Sequence, residues 1–139
     1  MEYTKARCCM FDEADAKKAA EEADLEHVER LYDGERHVHD LCRCRKCGAF
    51  VMRQYEEIAM FDWDNPVCYD RYYSVGSPEE ARELEKKHLF SNLSGVRRHI
   101  EVSWFEESPE HRSYRYCGSD FDGKRAGLPP VHRRREGFC

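Results

Sequence analysis

The sequence has few of the aliphatic and aromatic residues that build a protein core. Leu, Ile, Val and Phe together make 24 of 139 residues, about 17 %, which is below the roughly 20 % under which composition indicates poor folding. Eight Tyr, two Trp and a net charge of only −5 distinguish the chain from the highly charged, aromatic-poor sequences that stay disordered. Something other than aliphatic burial must therefore help to hold the fold together, and the eight Cys are the obvious source.

The sequence also has no long apolar segment. No stretch approaches the ~20 consecutive apolar residues of a membrane span, and the first residues, MEYTKARCCMFDEAD, are acidic where a signal peptide is apolar. We therefore expect a cytoplasmic protein whose thiols stay reduced. In that setting clustered Cys indicate a metal site rather than disulfides.

Catalytic motifs are missing as well. The sequence contains no HExxH, no GxSxG, no P-loop and no deaminase-type HxE with PCxxC. His37 and His39 share one side of a predicted strand, but beside a cysteine cluster such a pair indicates supporting or surface groups more than a catalytic metal. We therefore expect a protein that is not an enzyme.

Local patterns predict an α+β fold in which two helices pack on a small antiparallel sheet. An Ala-, Glu- and Lys-rich segment predicts an acidic N-terminal helix, and Ser77-Pro78-Glu79-Glu80 has the capping-box pattern that opens a second helix. Strand-like residues flank the cysteines, and VCYDRYYSV alternates like a short strand. The predicted units are a single domain over 1–118, a helix over 12–33, a hairpin over 36–58, a helix over 77–89, a hairpin over 97–118 and an extended basic tail over 119–139.

The sharpest motif is Cys44-Arg45-Lys46-Cys47-Gly48. Two Cys separated by two residues in a tight turn direct both thiolates at one ion, and the following Gly accommodates the positive φ that turns backbone amides toward the sulfurs. With the apolar strand after it, the segment resembles the zinc knuckle of zinc-ribbon and rubredoxin-like proteins. The resemblance implies a closed structural zinc site. Reduced thiols without a metal, an iron site and a redox pair are the alternatives.

The remaining ligands are less sharply indicated. Cys117 is the only other Cys that a Gly follows, and Cys42 lies two residues before Cys44, on the same side of a strand. Cys68, His39 and His37 are further choices for the fourth ligand, whereas Cys8, Cys9 and Cys139 have no helpful spacing and receive no role. The predicted zinc ligands are Cys42, Cys44, Cys47 and Cys117.

Charge is unevenly distributed along the chain. The first forty residues carry 6 basic and 12 acidic side chains, a net −6, and such a surface attracts a basic protein and repels phosphate. We therefore expect docking on a larger basic partner through the acidic helix or through the acidic aromatic segment after residue 59. The predicted partner-binding residues are Glu21, Glu22, Asp24, Glu26, Glu29, Asp62, Trp63 and Asp64.

The overall profile of small size, excess acid and a cysteine knuckle resembles that of phage anti-CRISPR proteins. This resemblance implies a non-enzymatic inhibitor of a nucleic-acid-handling partner, such as a Cas9-type nuclease. Two alternatives remain open. A zinc-ribbon nucleic-acid-binding or regulatory protein would use Arg43, Arg45 and Lys46 on the knuckle, and an immunity protein against a toxin nuclease would show the same profile as the inhibitor.

Overall fold

The computed structural model describes residues 7–59, 64–87 and 98–117. Its centre is a six-stranded antiparallel sheet whose strands lie side by side in chain order, and with two helices it confirms the predicted α+β class. Within the described ranges no helix is long and apolar enough to cross a membrane. The elements are a 3-10 helix (Cys9–Asp12), α1 (Ala16–Glu22), β1 (Leu25–Asp33), β2 (His37–Cys44), β3 (Phe50–Ile58), β4 (Val67–Val75), α2 (Pro78–Lys87), β5 (His99–Phe105) and β6 (Ser113–Cys117).

The predicted single helix over 12–33 is wrong in its second half. Helix α1 begins after Asp15, whose carboxylate accepts a backbone N–H of the first turn, and it ends at Glu22. Ala23 then adopts an extended backbone, and Leu25–Asp33 form the strand β1. This strand pairs with β2 along most of its length. Pairing across the sheet outweighs the modest helix preference of these residues, because propensity is only a weak determinant of structure.

The other predicted elements agree with the described structure. Strands β2 and β3 form the hairpin with the cysteine knuckle at its tip, and β5 and β6 form the C-terminal hairpin. The Ser77 cap of α2 is present, since the Glu80 N–H donates to the Ser77 hydroxyl at 3.0 Å. The Glu80 carboxylate accepts the N–H of Gly76, one residue before the cap. The predicted tail over 119–139 lies outside the described residues, as do Asp62 and Trp63.

The sheet has two faces of different character. Side chains alternate between faces along a strand, so β2 carries Cys42 and Cys44 on one face, the cysteine face, and His37 and His39 on the other, the histidine face. The 3-10 helix and α1 cover the cysteine face, and α2 packs on the histidine face. The buried core of the cysteine face includes Met10, Phe11, Ala16, Ala19, Val51, Ile100 and Val102. That of the histidine face consists of Leu41, Met52, Tyr73, Val75 and Ala81.

Candidate metal centre

Four cysteines meet where the N-terminal segment crosses the tip of the β2–β3 hairpin. The Sγ atoms of Cys8, Cys9, Cys44 and Cys47 all lie within 4.8 Å of one another. Cys9 Sγ lies 3.8 Å from Cys44 Sγ, and Cys47 Sγ lies 3.8 Å from Cys8 Sγ. A tetrahedral zinc with Zn–S bonds of about 2.3 Å separates its sulfurs by about 3.8 Å. The four thiols therefore have the spacing of a tetrahedral metal site.

The backbone fixes two of these thiols from the hairpin side. The knuckle turn closes through hydrogen bonds of 2.8 Å from the Gly48 N–H to the Cys44 carbonyl and from the Cys44 N–H to the Ala49 carbonyl. Gly48 has a φ of 81°, which an L-residue with a side chain adopts only at a cost. The glycine therefore shapes the turn that holds Cys44 and Cys47 on one side of the site, as the sequence predicts.

The N-terminal segment supplies the other two thiols. The Cys8 N–H donates to the Ser74 hydroxyl on β4 at 2.9 Å, and the Cys9 N–H donates to Cys47 Sγ at 3.3 Å. The Cys8 carbonyl accepts the Phe11 N–H at 3.0 Å, which forms the 3-10 turn. Cys8 is fully buried and Cys44 nearly so, while Cys47 is exposed. The site thus lies at the margin of the core with one edge toward solvent.

Burial, hydrogen bonds and neighbouring thiols together determine how these thiols ionise. Burial, together with the neighbouring Cys44 and Cys47, raises the pKa of Cys8 well above its usual range and that of Cys9 to about 11. For Cys47, burial raises the pKa, but hydrogen bonds from backbone N–H groups of Cys9 and Ala49 outweigh it and lower the value to about 7. Four thiolates this close repel one another strongly, so full deprotonation requires a cation among them.

The structure assembles a different ligand set from the predicted one. It brings together Cys44 and Cys47, but it adds Cys8 and Cys9, to which the sequence analysis gave no role. The one signal for the added pair was that two Cys stand side by side. Adjacent cysteines have no knuckle spacing, and only the fold brings them to the hairpin tip.

The other predicted ligands lie elsewhere. Cys42 is on the cysteine face but lines a neighbouring groove with Asp40 and Arg53. Cys117 is on the histidine face of β6, in register with His99 of β5, and takes part in a disulfide. The alternative ligand Cys68 lies near the start of β4, where its sulfur accepts a hydrogen bond from the Tyr55 hydroxyl at 3.6 Å.

Three acidic residues of the predicted partner surface pair with basic side chains of this same chain. Asp24 and Glu26 contact Arg45 at 2.9 and 3.5 Å. Both carboxylate oxygens of Glu29 accept from Arg82, at 2.8 and 3.2 Å, which lowers the pKa of Glu29. Asp24 and Glu26 therefore offset Arg45 of the knuckle, and Glu29 offsets Arg82 of α2.

The other described acidic residues of the predicted surface are exposed to solvent. The side chains of Glu21 and Glu22 stand at the end of α1 and are exposed, as is Asp64. The Glu22 carbonyl accepts a hydrogen bond from Lys46 at 2.8 Å. Of the described acidic residues of the predicted surface, Asp24, Glu26 and Glu29 thus pair with basic side chains of this chain, and Glu21, Glu22 and Asp64 are exposed.

A groove opens beside the four cysteines, between the N-terminal segment, α1 and the knuckle. Its volume is about 230 Å³, and Cys8, Cys9 and Cys44 form part of its wall. The charged residues that line it are Asp12, Glu13, Lys18, Glu22, Asp24 and Lys46, a net −2 from four acids and two bases. The groove is therefore mildly acidic and borders the thiols directly.

Comparison with known proteins adds no relative. No family model, no curated protein and no solved structure matches this chain.

Proposed function

We propose that Cys8, Cys9, Cys44 and Cys47 bind one Zn²⁺ as a structural ion. The observation that carries this proposal is the pair of 3.8 Å sulfur–sulfur distances within a four-cysteine group. Tetrahedral sulfur coordination suits zinc or iron, and zinc is the usual ion of knuckles with this CxxCG turn. Elemental analysis of the purified chain tests the proposal. One zinc per chain is the expected result, and a chain without a stoichiometric transition metal would refute it.

Four protein thiolates leave no coordination position for a substrate. Catalytic zinc sites instead keep three protein ligands and an open position. In this chain the ion would join the N-terminal segment to the hairpin tip. Cys9 of the segment and Cys44 of the hairpin are 35 residues apart in the sequence. A structural zinc can contribute on the order of 10 kcal/mol to folding, and the few aliphatic residues explain why the fold would need it.

For the zinc-stapled domain as a whole, we propose a non-enzymatic role as an inhibitor that docks on a larger basic protein. A Cas9-type nuclease is the partner class that the anti-CRISPR resemblance suggests. Support comes from the net charge of −5, from the mildly acidic groove beside the cysteines, and from the exposed Glu21 and Glu22 at the end of α1. An immunity protein against a toxin nuclease would use the same surface.

A nucleic-acid-binding role has weaker support. Arg45 is paired with Asp24 and Glu26, and Lys46 is hydrogen-bonded to the Glu22 carbonyl. A phosphate would have to compete with these partners for the basic side chains of the knuckle. Nucleic-acid binding is therefore our second hypothesis, after docking on a basic protein.

Binding assays at two salt concentrations test the docking proposal. The chain is presented to a panel of Cas9-type and toxin nucleases, with the double variant Glu21→Lys and Glu22→Lys beside the matched charge-reversal control Glu110→Lys. Glu110 is exposed in the turn between β5 and β6 and does not line the groove. Binding that weakens at high salt and in the double variant only is the expected result. Absence of binding to every nuclease, or equal loss in the control, contradicts the proposal.

A further inference from the structure

The histidine face of β2 carries two imidazoles side by side. His37 and His39 point to the same face because they are two residues apart on a strand, and their ring centroids lie 4.5 Å apart. His39 is 1 % exposed, and His37 is half-buried. Neither belongs to the four-cysteine group, which lies on the opposite face.

A buried carboxylate fixes one of the two rings. His39 Nδ1 lies 2.5 Å from Glu85 Oε1 of α2, and the two side chains are 1 % and 9 % exposed. In the tautomer that donates Nδ1–H to this carboxylate, Nε2 presents its lone pair on the far side of the ring. A histidine that binds a metal characteristically has this carboxylate contact on its other nitrogen.

Several polar atoms in this neighbourhood are buried without a hydrogen-bond partner. They are His37 Nε2, His39 Nε2, Gln54 Oε1 and Glu85 Oε2. Gln54 lies opposite His39 in the β2–β3 register and is 1 % exposed. Burying a polar atom without a hydrogen-bond partner is costly, and a bound ion is one of the arrangements that satisfies such a group.

The chemistry of these atoms selects the class of occupant. An amide oxygen and an ionised carboxylate oxygen only accept. In the tautomer that donates Nδ1–H to Glu85, the Nε2 of His39 also accepts. The His37 and His39 rings are neighbours, with centroids 4.5 Å apart, and Gln54 is the register partner of His39. Neighbouring buried acceptors favour a cation, and imidazole nitrogen with oxygen suits a borderline divalent transition-metal ion.

We propose that the histidine face holds a second metal site, separate from the zinc knuckle. His37 and His39 bind a divalent ion such as Zn²⁺ or Co²⁺ through Nε2, with the Gln54 amide oxygen as an additional acceptor. Glu85 is a positioning residue that orients the His39 ring. With two imidazole ligands against four thiolates, this site binds its ion more weakly than the knuckle does.

Titration of the metal-free full-length chain with Co²⁺ tests the proposal, because the two sites differ in spectrum. Cobalt bound by thiolates shows a sulfur-to-metal charge-transfer band, and cobalt bound by imidazole and oxygen does not. The wild-type chain should take up two equivalents, the first with the charge-transfer band and the second without it. His37→Ala should remove the second equivalent alone. Glu85→Gln, which keeps the shape of the side chain, should weaken the second equivalent by about 10- to 100-fold.

His111→Ala is the matched control, since His111 is 77 % exposed in the β5–β6 turn. It should leave both equivalents unchanged. Uptake of one equivalent by the wild-type chain would overturn the proposal and indicate that water fills the histidine face. Retention of the second equivalent in His37→Ala would also overturn it. Absence of the charge-transfer band in the wild-type chain would instead count against the zinc knuckle. Failure of the second site and failure of the knuckle are therefore distinguishable.

Discussion

The two faces of β2 are stabilised by different means. On the cysteine face, Cys44 joins three other thiols into a set that can bind an ion without help from solvent or substrate. On the histidine face, Leu41 packs into an apolar cluster beneath α2, and next to that cluster His39 is held by Glu85. The comparison teaches that alternation along one strand can serve a candidate metal centre and a hydrophobic core at once.

Loss of a thiol from the cysteine face should have the largest effect. We expect Cys8→Ser to lower the free energy of unfolding as severely as Cys44→Ser, because each removes one of four ligands from a site worth on the order of 10 kcal/mol. Circular dichroism melts and bound zinc are the measurements. Cys42→Ser is the control, since Cys42 is buried on the same face but lies outside the group. A Cys8→Ser variant that melts like the wild type would place Cys8 outside the metal centre.

Leu41→Ala tests the histidine face. Leu41 is fully buried, so the free energy of unfolding should fall by about 2–5 kcal/mol through lost burial and a residual cavity. The loss should be seen in urea denaturation while the zinc content stays at the wild-type level. Val28→Ala is the control, because Val28 is 45 % exposed and its truncation should change stability by about 0.5 kcal/mol or less. Release of zinc by Leu41→Ala would show that the two faces are not independent.

Substitution of Gly48 in the knuckle turn should have a smaller effect on stability. Gly48 has a φ of 81°, so Gly48→Ala should cost about 1–2 kcal/mol of unfolding free energy through left-handed backbone strain. Gly48→Asn should cost less, because Asn tolerates this region better than Ala does. The denaturation midpoints of the zinc-loaded variants measure this order of stability. Equal stability of Gly48→Ala and the wild type would mean that the turn does not require this backbone conformation.

The last prediction concerns alkaline pH on the cysteine face. Burial, followed by the charge of Asp70, raises the pKa of Tyr72 to about 12. The unfolded chain ionises Tyr72 near pH 10 while the folded chain keeps the proton, so stability should fall as the pH rises from 10 toward 12. Tyr72→Phe should lose less stability over this window in urea denaturation. An unchanged decline in the variant would show that other groups cause it.

The sequence predicted the parts of the fold that local chemistry encodes. The CxxCG turn and the Ser77 cap each combine a short spacing with a backbone need that few residues can meet, and both are present in the structure. Residues 25–33 were misassigned because their apolar spacing also fits a helix, and only pairing with β2 decides between the two.

Only the half of the candidate site that local sequence encodes could be predicted. Cys44 and Cys47 are neighbours in the chain, whereas Cys8 and Cys9 reach them through the folded sheet. The pairing of Asp24 and Glu26 with Arg45 is likewise a cross-strand contact. Net charge along the sequence therefore overstated the acidity of this surface.

X-ray absorption at the zinc edge tests the central claim most directly. In the full-length chain loaded with one equivalent of Zn²⁺, the account predicts four sulfur neighbours at about 2.3 Å and three in Cys8→Ser. A zinc surrounded by nitrogen and oxygen, or a chain that retains no zinc at one equivalent, would contradict it.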